Sequence, residues 1–73
     1  MRKSYALENL DCAHCAAKME HDINEFDDVS KCTITFMTAR MSISFADGAD
    51  VEDVLNRAQK VIHSYEKDCD IVR

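Results

Sequence analysis

Apolar and polar residues alternate along four segments of the chain, which is the pattern of strands with one buried face. In the second segment Cys32, Ile34 and Phe36 take the apolar positions, and in the third Met41 and Ile43 do so. The four predicted strands are Lys3–Glu8, Val29–Met37, Arg40–Ala46 and a short segment containing Cys69 and Ile71. Each strand is expected to place its apolar face against a core.

Two other segments repeat apolar residues every three or four positions, which is the spacing of one helical face. The first predicted helix covers Ala13–Glu25 and the second covers Val51–Ser64, with Asp50 as the N-cap of the second. The apolar faces consist of Ala16, Met19, Ile23 and Phe26 in the first helix and of Val51, Leu55, Ala58 and Ile62 in the second. Each helix therefore has a single face available for packing.

The predicted element order is βαββαβ, with no linker or repeat, and it indicates one domain over residues 1–73. Because each helix has one apolar face, both helices can cover the same face of an antiparallel sheet. The sequence therefore predicts an α+β ferredoxin-like sandwich, with sheet order 4-1-3-2 and two helices on one face.

Composition and charge narrow the possible partners. Nine basic and fourteen acidic residues give a net charge of −5, and the basic residues are scattered along the chain. Nucleic-acid binding is disfavoured, since it draws most of its affinity from basic residues that neutralise phosphates. An acidic surface suits a cation or a basic protein partner, and it also serves solubility. No segment approaches the roughly 20 apolar residues of a membrane span, so we expect a cytoplasmic monomer without membrane insertion.

The candidate chemistry lies where the first strand gives way to the first helix. Cys12 and Cys15 stand three positions apart at the helix start, where unpaired backbone N–H groups favour thiolates. Two thiolates bind a thiophilic metal ion but leave a tetrahedral zinc site incomplete. Cys32 and Cys69 are in phase with the apolar residues of opposite edge strands, so we expect buried thiols there and no disulfide. The open pair suits transfer of a metal better than storage.

Two alternatives use the same cysteines. In a secreted protein of this size they could form two disulfides, but the first residues contain no apolar signal block, which favours thiols in a reducing compartment. A dithiol at a helix start is also the arrangement of thiol–disulfide oxidoreductases. Thioredoxin-like proteins carry Trp and Pro around that motif, and this chain contains neither. We therefore expect a protein that is not an enzyme; a purely structural module would leave the dithiol unexplained.

These features together resemble the heavy-metal-associated domains, which occur as copper metallochaperones and as N-terminal domains of metal-transporting P-type ATPases. The resemblance covers essentially the whole chain and rests on the motif Leu10-x-Cys12-x-x-Cys15 and the segment Ala17–Glu20 within the βαββαβ order. It implies a solvent-exposed loop in which Cys12 and Cys15 bind the metal. Copper-handling members usually have Met where Leu10 stands, whereas Asp11 before the first cysteine is similar to the zinc, cadmium and lead exporters.

The choice of metal also rests on charge and donor type. Cu(I) is satisfied by two thiolates, whereas Zn(II) seeks further ligands and accepts carboxylate oxygen. Asp11 supplies such a carboxylate, so the expected metal site is Cys12, Cys15 and Asp11 with Zn²⁺, Cd²⁺ or Pb²⁺, and Cu⁺ is the alternative. Asp11 could instead cap the first helix, and supplementary contacts from His14 or Glu66 stay open.

The expected function follows from the resemblance and from the open site. The ion would be delivered by ligand exchange to the membrane domain of a metal-transporting P-type ATPase, either in cis from its N-terminal domain or in trans. The alternative is a stand-alone Cu(I) metallochaperone. The chain has no Asp-Lys-Thr-Gly-Thr phosphorylation motif and no membrane helix, so it cannot pump ions by itself.

Overall fold

The computed structural model of the protein describes residues 1–73 and contains the six predicted elements in the predicted order. They are β1 (Arg2–Glu8), α1 (Ala13–Asn24), β2 (Val29–Thr35), β3 (Arg40–Phe45), α2 (Val51–Tyr65) and β4 (Asp70–Val72). Neither helix has the length and apolarity that a membrane crossing requires.

The four strands form one antiparallel sheet in the order β2-β3-β1-β4. This is the predicted order read from the opposite side, and it confirms the ferredoxin-like arrangement. Both helices pack on the same face of the sheet, with α1 against β2 and α2 against β4. β2 and β4 are therefore the edge strands, and Cys32 in β2 and Cys69 directly before β4 lie at opposite edges, as predicted.

The core consists only of apolar side chains and includes the predicted face of β3 and most of the predicted helical faces. Phe26, predicted to belong to the face of the first helix, lies beyond the end of α1 and is half-buried. Met41, Ile43 and Phe45 of β3 are all buried. The second helix differs slightly from its prediction, because Val54 is fully buried whereas Val51, in the first turn, is half-buried. Burial stabilises the packed state by about 25 cal/mol per Å² of apolar surface, so these faces hold the helices on the sheet.

The predicted extension of β2 to Met37 is wrong. β2 ends at Thr35, and Phe36 and Met37 lie in the turn to β3 with exposures of 37% and 90%. The chain reverses before β3, where Ala39 has a positive φ of 51° and its carbonyl accepts a hydrogen bond from the Leu7 N–H at 2.7 Å. The reversal ends the alternation of the strand, so neither apolar side chain of the turn reaches the core.

Three connections meet at one end of the sheet, namely β1–α1, β2–β3 and α2–β4. The strand directions require this, since β1 and β2 run toward that end and their antiparallel neighbours run away from it. Side chains join two of these loops: Asn9 Nδ2 donates to the Asp68 carbonyl at 3.1 Å, and the Asp11 N–H donates to Glu66 Oε1 at 3.3 Å. The predicted dithiol therefore lies beside the loop that precedes the last strand.

Candidate metal centre

The segment between β1 and α1 presents alternate side chains inward and outward. Asn9 adopts a positive φ of 61°, which Asn tolerates better than most residues, and this conformation turns the chain out of β1. Leu10 packs against the core, and Asp11 is exposed. The carboxylate of Asp11 is thus directed to solvent immediately before the first cysteine.

Cys12 is itself the N-cap of α1. Its Sγ accepts a hydrogen bond from the Cys15 N–H at 3.2 Å, and its carbonyl accepts the first helical hydrogen bond from the Ala16 N–H at 3.0 Å. The alternative in which Asp11 caps the helix is therefore not what the structure contains, because the chain enters the helix one residue later. Both cysteines are half-buried, and the cap holds the sulfur of Cys12 at the positive end of the helix.

The interaction between the two cysteines shifts their pKa values in opposite directions. Interaction with the Cys15 side chain, followed by the hydrogen bond from the Cys15 backbone N–H, lowers the pKa of Cys12. The same contact with Cys12, together with burial, raises the pKa of Cys15. Because the thiolate is the nucleophile and the metal ligand, Cys12 is the sulfur of the pair that loses its proton more readily.

Glu66 approaches the dithiol from the other loop. It is the C-cap residue of α2, and its Oε1 accepts the hydrogen bond from the Asp11 N–H at 3.3 Å. Its second oxygen, Oε2, is buried and has no hydrogen-bond partner. After the contact with Cys12 and burial, the charge of Glu66 adds to the rise in the pKa of Cys15. A buried carboxylate oxygen without a partner is costly, and a cation between the loops would satisfy it.

Tyr65 joins the end of α2 to the last turn of α1. Its hydroxyl donates to Asp22 Oδ2 at 2.5 Å, and this hydrogen bond, with burial, raises the pKa of Tyr65. The ring lies close enough to the dithiol for Cys15 to contribute to the same rise. Tyr65 therefore lies beside the metal loop.

The histidines have different surroundings. His14, between the two cysteines, is exposed. His21 lies 3.6 Å from Glu25 on the surface of α1. His63, by contrast, lines a cavity of about 460 Å³ together with Asp11 and other residues of the two loops, and its Nε2 is 2.9 Å from Asp70 Oδ1. The sequence alone does not indicate that His63 adjoins the metal loop, because the end of α2 meets this loop only in the folded chain.

No three His, Cys, Asp or Glu side chains converge on one point anywhere in the protein. The dithiol is thus a pair of donors with neighbouring carboxylates and not a closed cage. The remaining cysteines confirm their prediction as buried thiols: burial raises the pKa of Cys32 to about 12 and that of Cys69 to about 11.

Comparison with known proteins gives a consistent result. The family model "Heavy-metal-associated domain" matches residues 4–68. The chain is 44% identical over 52 residues to a cadmium, zinc and cobalt-transporting ATPase of Helicobacter pylori. The matched residues are 71% of this chain and 7% of that protein. It is 30% identical over 64 residues to the cadmium, zinc and cobalt-transporting ATPase of Bacillus subtilis, covering 88% of this chain and 9% of that protein.

Among solved structures, the CopZ metallochaperone superposes with a TM-score of 0.73 at 18% identity, covering 99% of this chain and all of that one. This likeness shows the shared fold. The chain spans less than a tenth of the length of either ATPase.

Proposed function

Because the chain belongs to the heavy-metal-associated domain family, we propose that it binds Zn²⁺, Cd²⁺ or Pb²⁺ and delivers the ion to a metal-transporting P-type ATPase. The ligands are the sulfurs of Cys12 and Cys15 and the carboxylate of Asp11. One observation carries this proposal: both cysteines are half-buried at the start of α1, and the Cys12 sulfur accepts a hydrogen bond from the Cys15 backbone N–H at 3.2 Å. A metal ion bound by both sulfurs displaces their protons.

The carboxylates beside the dithiol favour a divalent ion. Asp11 is exposed next to Cys12, and Glu66, whose Oε1 accepts from the Asp11 N–H, has a buried second oxygen without a hydrogen-bond partner. Two thiolates neutralise a divalent ion but leave its coordination incomplete, and zinc accepts carboxylate oxygen at ~2.0–2.2 Å. Asp11 completes the shell in this proposal, and Glu66 balances charge behind it.

The partner follows from the relatives. The two ATPases named above transport cadmium, zinc and cobalt according to their names, and the chain is similar to a short part of each. We infer that this chain, as a single domain over residues 1–73, acts on the cytoplasmic side of such a pump. It acts either as the N-terminal domain of the pump or as a separate protein that docks on it.

Ligand exchange is the mechanism that an open dithiol permits. An incoming ligand of the partner adds to the ion held by Cys12 and Cys15, a mixed-ligand intermediate forms, and the ion then leaves without becoming free. Asp11 is the ligand that is displaced first, because its side chain is exposed and carboxylate oxygen binds a thiophilic ion less strongly than thiolate does.

A Cu(I) metallochaperone is the second candidate, and one observation favours it. No third His, Cys, Asp or Glu side chain converges with the two thiols, and Cu(I) needs only two thiolates. In that case Asp11 contributes charge but no bond to the metal.

Competitive titration with Zn(II), Cd(II), Pb(II) and Cu(I), under anaerobic reducing conditions, tests the proposal. The wild type is compared with Asp11→Ala and with Asp68→Ala, which removes an exposed carboxylate from the neighbouring loop as a matched control. We expect Asp11→Ala to weaken the divalent ions by about tenfold or more, to leave Cu(I) almost unchanged, and to exceed the effect of Asp68→Ala. Equal losses for all four ions, or no loss in Asp11→Ala, would refute ligation by Asp11 and favour the copper function.

A further inference from the structure

Both edges of the sheet are occupied by side chains of the helices. A strand at a sheet edge presents unpaired N–H and C=O groups that can pair with another chain. In this protein the outer edges of β2 and β4 carry such groups, and a carboxamide side chain from the helix above each strand binds them. Because a carboxamide binds the backbone at both edges of the sheet, we expect the two carboxamides to have the same role.

At the first edge the carboxamide belongs to Asn24, the last residue of α1. Its Oδ1 accepts from the Cys32 N–H at 2.7 Å and its Nδ2 donates to the Cys32 carbonyl at 2.8 Å. Glu20, one turn earlier, accepts from the Ile34 N–H with its Oε1 at 2.7 Å. Three consecutive outward-directed backbone groups of β2 are thereby hydrogen-bonded within the molecule.

At the second edge the carboxamide belongs to Gln59 in α2. Its Nε2 donates to the Cys69 carbonyl at 2.9 Å and its Oε1 accepts from the Ile71 N–H at 2.8 Å. A carboxamide has one donor and one acceptor on the same group, so it reproduces the pair of hydrogen bonds that a neighbouring strand would make.

We propose that Asn24 and Gln59 close the two sheet edges and so prevent this chain from pairing through its strands with a second copy of itself. The edge of β2 is the one that could pair with a strand of a second copy. It is seven residues long, whereas β4 has three, and a stable strand pair needs a run of several residues. Two β2 edges would meet antiparallel across a two-fold axis, which is the geometry of an isologous dimer.

The chain has few other protections at this edge. It contains no Pro, and Lys31 is the one charged residue within β2; Pro and Lys are the residues that commonly protect exposed edges. The outward backbone groups of β2 are therefore kept from a second strand mainly by Asn24 and Glu20. This inference concerns only the sheet edges and is independent of the metal and of its ligands.

Asn24→Ala tests the proposal in two measurements on the metal-free protein, with chelator and reductant present to exclude association through metal or disulfide. Sedimentation velocity from about 10 µM to about 1 mM is expected to find the wild type monomeric and Asn24→Ala increasingly dimeric, since association depends on concentration. Asn56→Ala is the matched control, because Asn56 is an exposed helical residue whose side chain contacts Arg73 and no strand edge. It is expected to remain monomeric.

Amide hydrogen exchange gives the site-specific result. At low concentration the Cys32 amide of Asn24→Ala is expected to exchange about tenfold faster than in the wild type, while the Ile34 amide, held by Glu20, keeps its rate. At high concentration both are expected to be protected by the dimer. A wild-type protein that dimerises through β2, or an Asn24→Ala protein that stays monomeric, would overturn the proposal. If Asn24→Ala does not fold, Asn24→Ser is measured in the same way, because a single hydroxyl adds no charge and cannot replace both hydrogen bonds to Cys32.

Discussion

The backbone N–H of Asp11 donates to Oε1 of Glu66 at 3.3 Å, across 55 positions of the sequence. This hydrogen bond joins the loop that precedes α1 to the cap of α2. It fixes the backbone of Asp11 while its side chain stays exposed, and it brings a second carboxylate behind the dithiol. The position of the proposed third ligand is therefore set by a residue of the other half of the chain.

Replacing Glu66 separates its two roles, which are anchoring and charge. Glu66→Gln can keep the acceptor for the Asp11 N–H and removes the charge, whereas Glu66→Ala removes both. We expect Glu66→Gln to weaken Zn(II) binding by about threefold to tenfold, and Glu66→Ala to weaken it further because the loop is released. Competitive titration measures the affinities, and exchange of the Asp11 amide measures the anchoring.

The control for this pair is Asp68→Asn, which removes an exposed charge of the same loop without touching Asp11. The interpretation would be wrong if Glu66→Ala and Asp68→Asn had the same effect on Zn(II), since the contribution of Glu66 would then be only long-range charge. It would also be wrong if the Asp11 amide exchanged equally fast in the wild type and in Glu66→Ala.

The capping role of Cys12 can be separated from metal binding. Ser caps a helix N-terminus well and Ala does not, so Cys12→Ser is expected to keep the urea midpoint of the metal-free protein and Cys12→Ala to lower it. Both changes are expected to weaken metal binding by more than about 100-fold, because one of two thiolates is lost. Cys15→Ser is the comparison, because it also removes one thiolate ligand but leaves the Cys12 cap in place. Equal urea midpoints for Cys12→Ser and Cys12→Ala would show that Cys12 does not stabilise the helix as its cap.

The sequence predicts the fold well because its signals are local and agree with one another. The alternation of Met41, Ile43 and Phe45 and the spacing of the helical faces indicate the element order and the buried faces. The sequence does not predict the turn after β2, because Phe36 continues the alternation of Cys32 and Ile34, and no Gly or Pro marks a reversal there. Apolar residues at a strand end are compatible with both outcomes.

The sequence predicts only the part of the site that neighbouring residues form. The positions of Cys12 and Cys15 follow from their spacing at a helix start. The cap formed by Cys12 depends on where the helix begins, and such boundaries are uncertain by a residue or two. The contacts of Glu66 with Asp11 and of Tyr65 with Asp22 join distant parts of the sequence, so only the folded chain brings them together.

The contact between Tyr65 and Asp22 predicts how the Tyr65 hydroxyl titrates. The hydrogen bond to the Asp22 carboxylate raises the pKa of Tyr65 above its ordinary value of 10.0, so Asp22→Asn is expected to lower it again. Absorbance at 295 nm measures the ionisation, and the Tyr5→Phe background removes the other tyrosine of the chain. An unchanged titration of Tyr65 in Asp22→Asn would show that burial alone causes the rise.

The buried thiols predict how stability depends on pH. Burial raises the pKa of Cys32 from 9.0 to about 12 and that of Cys69 from 9.0 to about 11. A pKa that is higher in the folded state means that folding favours the protonated thiol. The contribution of each thiol to stability is therefore complete below the pKa of the unfolded chain, near 9, and is lost as the pH rises toward the folded value.

We expect the free energy of unfolding to fall above about pH 9 by about 1.4 kcal/mol per pH unit for Cys32, the cost of one proton released only by the unfolded chain. Urea denaturation of Cys32→Ala and the wild type between pH 8 and pH 10.5, with reductant present, should therefore give a lower stability for the variant at pH 8 and a shallower decline above pH 9. Ile34→Val is the control, since it trims a core side chain of the same strand and adds no ionisable group; its curve should run parallel to that of the wild type. Parallel curves for Cys32→Ala would contradict the raised pKa, because the slope reports only the difference in bound protons between the two states.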